Sequence, residues 1–172
     1  MINAFAYTGA FSVCAALGGA SAVTSVETSE SAVNTSRHNF ELNSLDPGRY
    51  EFAQEDVFQF LRKTRETYDL IILDPPAFAR AKGQIIQASR GYKDINLQAL
   101  RRLAPGGYLC TFSCSSYISS DLFQKIIFAA AKDARRDLQI IARTSHAFDH
   151  PTSIYHPEGE YLKGLFCRAA DA

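Results

Sequence analysis

The chain reads as a doubly wound α/β domain: a mostly parallel sheet of about seven strands with an antiparallel last strand and helices on both faces. Three features predict it. Leu70-Ile71-Ile72-Leu73 is apolar without alternation, as in a strand covered on both faces, and it ends abruptly in Asp74-Pro75-Pro76. On either side of it, short apolar runs alternate with stretches of helical period, which calls for right-handed crossovers. Near the end of the chain two strand-like runs have little helix between them, and this suits an antiparallel final hairpin.

In order, residues 1–5 form the first strand; nothing resembling a cap or lead-in precedes it, so an upstream region is expected. Tyr7-Thr8-Gly9-Ala10 turns into a helix with Phe11, Cys14 and Ala15 at helical spacing and Val13 four residues from Leu17, stopped by Gly18-Gly19. Residues 23–27 make the second strand. Ser29 is placed to cap a helix ending near Leu42, and residues 50–54 make the third strand. Val57, Phe60 and Leu61 then share a helix face ahead of the Leu70 strand. From 78 to 89 the chain is mostly small or polar and is expected to be loop, a mobile lid being one use of it. Ile95, Ala99, Leu100 and Leu103 mark a helix that Pro105-Gly106-Gly107 stops. Residues 108–112 are the fifth strand. A helix over 121–134 buries Leu122, Ile126 and Ala130, and residues 138–142 and 161–167 are the last strands.

Composition sets limits. A chain of 172 residues suits one domain, residues 1–172, and buries roughly 70% of its unfolded surface. Lys plus Arg equal Asp plus Glu at 18 each, so there is no overall basic footprint for nucleic acid, although a local one remains open. Cys14, Cys110, Cys114 and Cys167 lie in or beside apolar segments of a chain too large to need disulfides. They read as reduced thiols of a cytoplasmic protein. No apolar run approaches ~18 residues, and no signal peptide is recognisable, so no membrane partner is expected.

Open α/β sheets bind ligands at the carboxyl ends of their strands, and acids stand there in succession. Glu27 ends the second strand roughly 20 residues past the Gly9 turn, where a carboxylate can accept from ribose hydroxyls. Asp56 follows the third strand, within reach of an exocyclic adenine amine, and Asp74 ends the fourth. The turn has one glycine and is not a dinucleotide fingerprint. Three carboxylates repel a pyrophosphate but suit a cationic sulfonium, which favours S-adenosylmethionine over a nicotinamide cofactor. Each acid alone would also serve as a helix cap or first-turn residue. No metal is expected.

Cys114, in Phe112-Ser113-Cys114-Ser115, ends the fifth strand and should face Asp74. A thiol at a strand end is open to reaction. Cys110, Cys14 and Cys167 read as small buried hydrophobes.

Several longer motifs resemble one family. They are residues 3–11, Asp74-Pro75-Pro76-Ala77-Phe78, Arg90-Gly91-Tyr92-Lys93-Asp94-Ile95-Asn96, Thr111-Phe112-Ser113-Cys114-Ser115, residues 120–125, and Glu158-Gly159-Glu160-Tyr161-Leu162-Lys163-Gly164. Together they resemble the bacterial class I methyltransferases that make 5-methylcytidine in 23S ribosomal RNA, the RlmI type, over nearly the whole chain. The resemblance implies a Rossmann-like methyltransferase sheet in which Tyr7, Thr8 and Gly9 contact S-adenosylmethionine, Glu27 its ribose and Asp56 its adenine. It implies Cys114 as nucleophile toward carbon 6 of a flipped cytosine, Asp74 as partner of the base, and Phe78 stacked on it beside Pro75 and Pro76. Ribosomal RNA is the implied partner, and a homodimer is left open.

Two departures qualify the resemblance. Ala77 stands where many RNA cytosine-5 methyltransferases have a second cysteine for product release. Another base is then needed, and Lys93, Asp94 and Lys163 are candidates on loop placement; Lys93 and Lys163 are also expected at the substrate. The upstream RNA-binding PUA domain and connecting region of the family are not in this sequence, so weak RNA binding is expected of it alone. Rival readings are a related enzyme methylating guanine N7, which needs no cysteine on the fifth strand, a non-catalytic S-adenosylmethionine- or RNA-binding module, and a nicotinamide dehydrogenase.

Overall fold

The computed structural model describes residues 1–170. Alternation of strand and helix runs as the sequence predicts: β1 (Ile2–Ala4), α1 (Ala10–Leu17), β2 (Thr24–Glu27), α2 (Glu30–Leu42), β3 (Glu51–Gln54), α3 (Val57–Lys63), β4 (Tyr68–Leu73), α4 (Ile85–Arg102), β5 (Leu103–Ser113), α5 (Ser120–Ala134), β6 (Leu138–Thr144) and β7 (Lys163–Ala169). The sheet order is β3-β2-β1-β4-β5-β7-β6. Strands β1 to β5 pair in parallel, and β7 inserts antiparallel between β5 and β6. The reversal of order between β1 and β4 opens the crevice where such sheets bind ligands.

Two cores lie on opposite faces, as alternation along each strand requires. Ile2, Ala4, Ile71, Leu73 and Leu109 pack against α3, α4 and α5, with Phe60, Tyr92, Ile95 and Phe123. A smaller core joins Val13 and Ala16 of α1 to Val23 and Phe40. Between strand and helix on that side runs a polar chain: Asn3 Nδ2 donates to Ser12 Oγ at 2.9 Å, and Ser25 Oγ to the same oxygen at 2.8 Å.

Three local expectations are corrected. The outward face of α1 carries Phe11, Cys14 and Leu17, while Ser12, Val13 and Ala16 are buried. A periodicity count ignores serine, yet here serine is the residue that binds the helix to the sheet. Residues 78–89 are not one loop, because a single 3-10 turn over Lys82–Gln84 leads into α4 at Ile85. Ala88 and Tyr92 continue the buried stripe of Ile95 and Ala99 backwards, and Gly91 leaves room for Phe78, whose Cδ2 would lie 3.2 Å from an added Cβ. α4 ends at Arg102, slightly before Pro105-Gly106-Gly107, and the tripeptide itself forms an irregularity inside β5, where Gly106 takes φ 71° and the pairing with β4 shifts register.

Candidate active site

The turn after β1 is backbone-strained. Phe5 and Tyr7 hold φ of 61° and 47°, and Gly9 follows at 81°. Non-glycine residues in this region cost on the order of 1–3 kcal/mol each and persist only where the surroundings impose them. The fastener is Glu27, whose Oε2 accepts from the Tyr7 amide at 2.9 Å while Oε1 accepts from the Thr28 and Ser29 amides at 2.8 and 3.0 Å. The Thr28 hydroxyl adds a longer bond of 3.2 Å.

Glu27, Asp56 and Asp74 open with Cys114 onto one cavity of about 970 Å³ at the carboxyl ends of the strands. Tyr7, Pro75, Pro76 and Phe78 also border it. Thr8 and Gly9 do not: the Thr8 carbonyl accepts from Asn39 Nδ2 at 2.8 Å, and Gly9 packs so closely on α2 that an added Cβ would lie 2.0 Å from Ser36 Oγ. They shape the turn from beneath. Asp56 caps α3, its Oδ1 accepting from the Gln59 amide at 3.0 Å, and the same residue borders the cavity.

Asp74 and Cys114 meet because β4 and β5 are neighbours. Protein packed around the Asp74 carboxyl pushes its pKa up from the ordinary carboxylate value. Burial also pushes the Cys114 thiol up, and the Asp74 charge adds to it; its own backbone and Lys163 act in the opposite sense. The thiol points its weak donor at the Pro75 carbonyl, 3.8 Å away. Of the other cysteines, Cys167 is buried and Cys110 partly so, both with thiols raised to about 11 by burial, whereas Cys14 is exposed, against the expectation of a core residue.

Phe78 contributes to the cavity wall but is chiefly a packing residue, tilted against Tyr92 at 4.5 Å and Phe58 at 6.1 Å and edge-on to Phe5 at 6.5 Å. Lys93 and Asp94 lie on α4 away from the cavity, where Lys93 pairs with Asp133 at 2.7 Å and Asp94 with Arg62. Lys163 is nearer but turned inward, with Nζ donating to the Ser115 and Ile118 carbonyls. None of the three suits the loop placement expected of it.

The far wall escapes the sequence reading. The segment between β6 and β7 brings His146, Asp149, His150 and Tyr161 to the cavity. His146 stands edge-on to Tyr161 at 4.7 Å, and its Nε2 accepts from the Leu162 amide at 3.3 Å. His150 Nδ1 lies 3.1 Å from Asp149 and holds that carboxyl below the usual range. A clustering of three of the four histidines of the chain at 146, 150 and 156 was the available signal.

The donor set fits a phosphate-free, cationic nucleoside cofactor: four carboxylates, Glu27, Asp56, Asp74 and Asp149, border the cavity, and among the described residues no lysine or arginine does. Residues 1–153 match the family described as S-adenosylmethionine-dependent methyltransferase. The chain is 52% identical over 171 residues to "Ribosomal RNA large subunit methyltransferase I" of Klebsiella pneumoniae (strain 342) and of Serratia proteamaculans (strain 568), covering 98% of this chain and 43% of each relative. It therefore spans less than half the length of the curated relatives it matches. Among solved structures, SMU.776 complexed with SAH superposes with a TM-score of 0.83 at 30% identity over 97% of this chain and 44% of that one. TrmN from Thermus thermophilus, at 18% identity over 98% of this chain and 43% of that one, shares the fold with a TM-score of 0.67. Among the described residues no helix is long and apolar enough to cross a membrane. On its sheet order and on the match over residues 1–153, the chain belongs to the S-adenosylmethionine-dependent methyltransferases.

Proposed function

We propose that residues 1–172 are the catalytic domain of an RlmI-type enzyme that methylates carbon 5 of a cytosine in 23S ribosomal RNA. The observation that carries this reading is the pairing of Asp74 with Cys114 across adjacent strand ends on a cavity whose other side is acidic. The names of the 52%-identical relatives support the substrate class.

Glu27 would receive the ribose hydroxyls; the Thr28 hydroxyl bond is its longest and stands on a rotatable side chain, so it is the one to yield. Asp56 would use its second oxygen for the adenine amine, and Tyr7, exposed over the strained turn, would cover the cofactor. When bound, S-adenosylmethionine supplies an electrophilic methyl group. Pro75 and Pro76 hold the substrate wall rigid, and Phe78 offers the flipped base the edge of an aromatic cluster.

Cys114 adds as thiolate to carbon 6 of the cytosine, and Asp74, whose carboxyl keeps its proton more readily than usual, delivers that proton to the ring nitrogen N3. Carbon 5 thereby becomes nucleophilic. Once methylated, it loses its proton, the thiolate is expelled, and Asp74 regains the proton from N3. With Lys93, Asp94 and Lys163 engaged elsewhere, the acceptor for the carbon-5 proton belongs to the cavity groups, the His150–Asp149 pair among them, or to water.

The test is covalent trapping with the intact protein, S-adenosylmethionine and large-subunit RNA containing 5-fluorocytidine. Fluorine does not leave as a proton does, so the adduct persists. A denaturant-resistant protein–RNA band that is missing in Cys114→Ala is expected. No band from protein shown to bind both cofactor and RNA would rule out the cytosine mechanism in favour of ring-nitrogen methylation.

A further inference from the structure

Lys163 opens β7 directly across from Ser113, the last residue of β5, so its side chain leaves the sheet one residue away from Cys114. It is 9% exposed, and Nζ donates to the carbonyls of Ser115 at 2.5 Å and Ile118 at 2.6 Å, both in the turn that follows the cysteine. A buried ammonium is unfavourable unless hydrogen-bonded or paired, and here two carbonyls hold it. No ion pair compensates it among the described residues. The same turn is pinned elsewhere. Ser113 Oγ donates to Tyr92 Oη at 3.0 Å, and Ser115 Oγ donates to the Ala79 carbonyl at 2.6 Å, tying the turn after β5 to the turn after β4. Cys114 is the partly buried crest of a segment whose neighbours on both sides are buried and bonded.

We propose that Lys163 is a positioning residue for Cys114: it fixes the turn over residues 115–118, and its ammonium supplies the positive field that favours the thiolate. This role takes the place of the substrate contact that the sequence reading expects of Lys163. The mutual influence of the two groups is in keeping: Lys163 opposes the burial that raises the thiol, and Cys114 opposes the burial that lowers the lysine. Other titratable groups facing the thiol are Asp74 from β4, which works against ionisation, and Tyr92 from α4, which donates no charge at neutral pH. The inference rests on Cys114 being the nucleophile, but its test reads the thiol directly, without RNA.

The experiment is the pH dependence of Cys114 alkylation by iodoacetamide, followed at the Cys114 peptide by mass spectrometry because exposed Cys14 reacts as well. Wild type, Lys163→Met and Lys163→Arg are compared, each shown to bind S-adenosylmethionine. The midpoint is expected to rise by about one pH unit in Lys163→Met and to return most of the way in Lys163→Arg. An unshifted midpoint in folded Lys163→Met overturns the proposal. Should that variant fail to fold, the reciprocal titration decides: the Lys163 side chain, followed by NMR, is expected to titrate lower in Cys114→Ser than in wild type, and identical titrations overturn the proposal. Full methyl transfer by Cys114→Ala together with a shifted midpoint would sink the nucleophile reading while leaving the Lys163–Cys114 coupling in place.

Discussion

The two halves of the cavity floor are built on opposite principles. On the β1–β2 side the unusual energy is conformational: Phe5, Tyr7 and Gly9 sit at positive φ, and a carboxylate already satisfied by three amides holds them there. On the β4–β5 side the backbone is ordinary and the unusual energy is electrostatic, with Asp74 and Cys114 both pushed towards their neutral forms. On the proposed reading, the first half receives the cofactor with only the Thr28 hydroxyl turning aside. In the second, burial favours the neutral form of both groups, which is how a thiol and a carboxyl can coexist at one strand edge.

Four substitutions sharpen this contrast, in decreasing order of effect. Cys114→Ala is expected to reduce methyl transfer by about 10⁴-fold or more while leaving cofactor affinity unchanged by calorimetry. A parallel loss of cofactor binding would mean that the halves are not separable. Asp74→Asn should lower the rate by roughly 10²–10³-fold and yet raise the melting temperature at neutral pH. The sign follows from the folded pKa lying above the unfolded one: the carboxyl contributes stability below its unfolded pKa and loses it as pH rises through the folded value. The stabilisation by asparagine should therefore fade in acid, and melting curves that show no pH dependence of the difference would count against a desolvated Asp74.

Glu27→Gln is expected to weaken cofactor binding by roughly tenfold or more, since a charged acceptor is exchanged for a neutral one, without moving the Cys114 alkylation profile. A shifted profile would show crosstalk between the two halves. Gly9→Ala should destabilise the fold by about 1–3 kcal/mol in chemical denaturation, from positive φ and the contact with Ser36. Adding Ser36→Gly is expected to restore part of it, the remainder being the φ itself; full restoration would mean that the turn is not strained.

Legibility in the sequence followed periodicity and strand ends. The unalternated Leu70–Leu73 run, the Ser29 cap, the Asp74–Cys114 encounter and the acidic row could be read because each depends on a local rule or on which strand neighbours which. Errors arose where a residue acts against its type. Ser12 is buried, Phe11 and Cys14 point outward, and the buried Ala88 lies on a helix in a stretch that looks like loop. Lys163 illustrates the same limit at the site: the sequence reading places it in a loop, whereas it opens β7 across from Ser113 and its Nζ bonds the Ser115 carbonyl.

By itself, then, the sequence determined the alternation of strand and helix, the acids at successive strand ends and the candidate nucleophile, because these follow from short-range pattern and from the rules of parallel sheets. Tertiary structure alone decided which of the charged groups face the cavity. It bound Lys93 and Asp94 in ion pairs elsewhere, folded Lys163 beneath Cys114, and carried His146, Asp149 and His150 across from the β6–β7 connection. Those placements depend on the insertion of β7 between β5 and β6, a long-range pairing that no local spacing encodes.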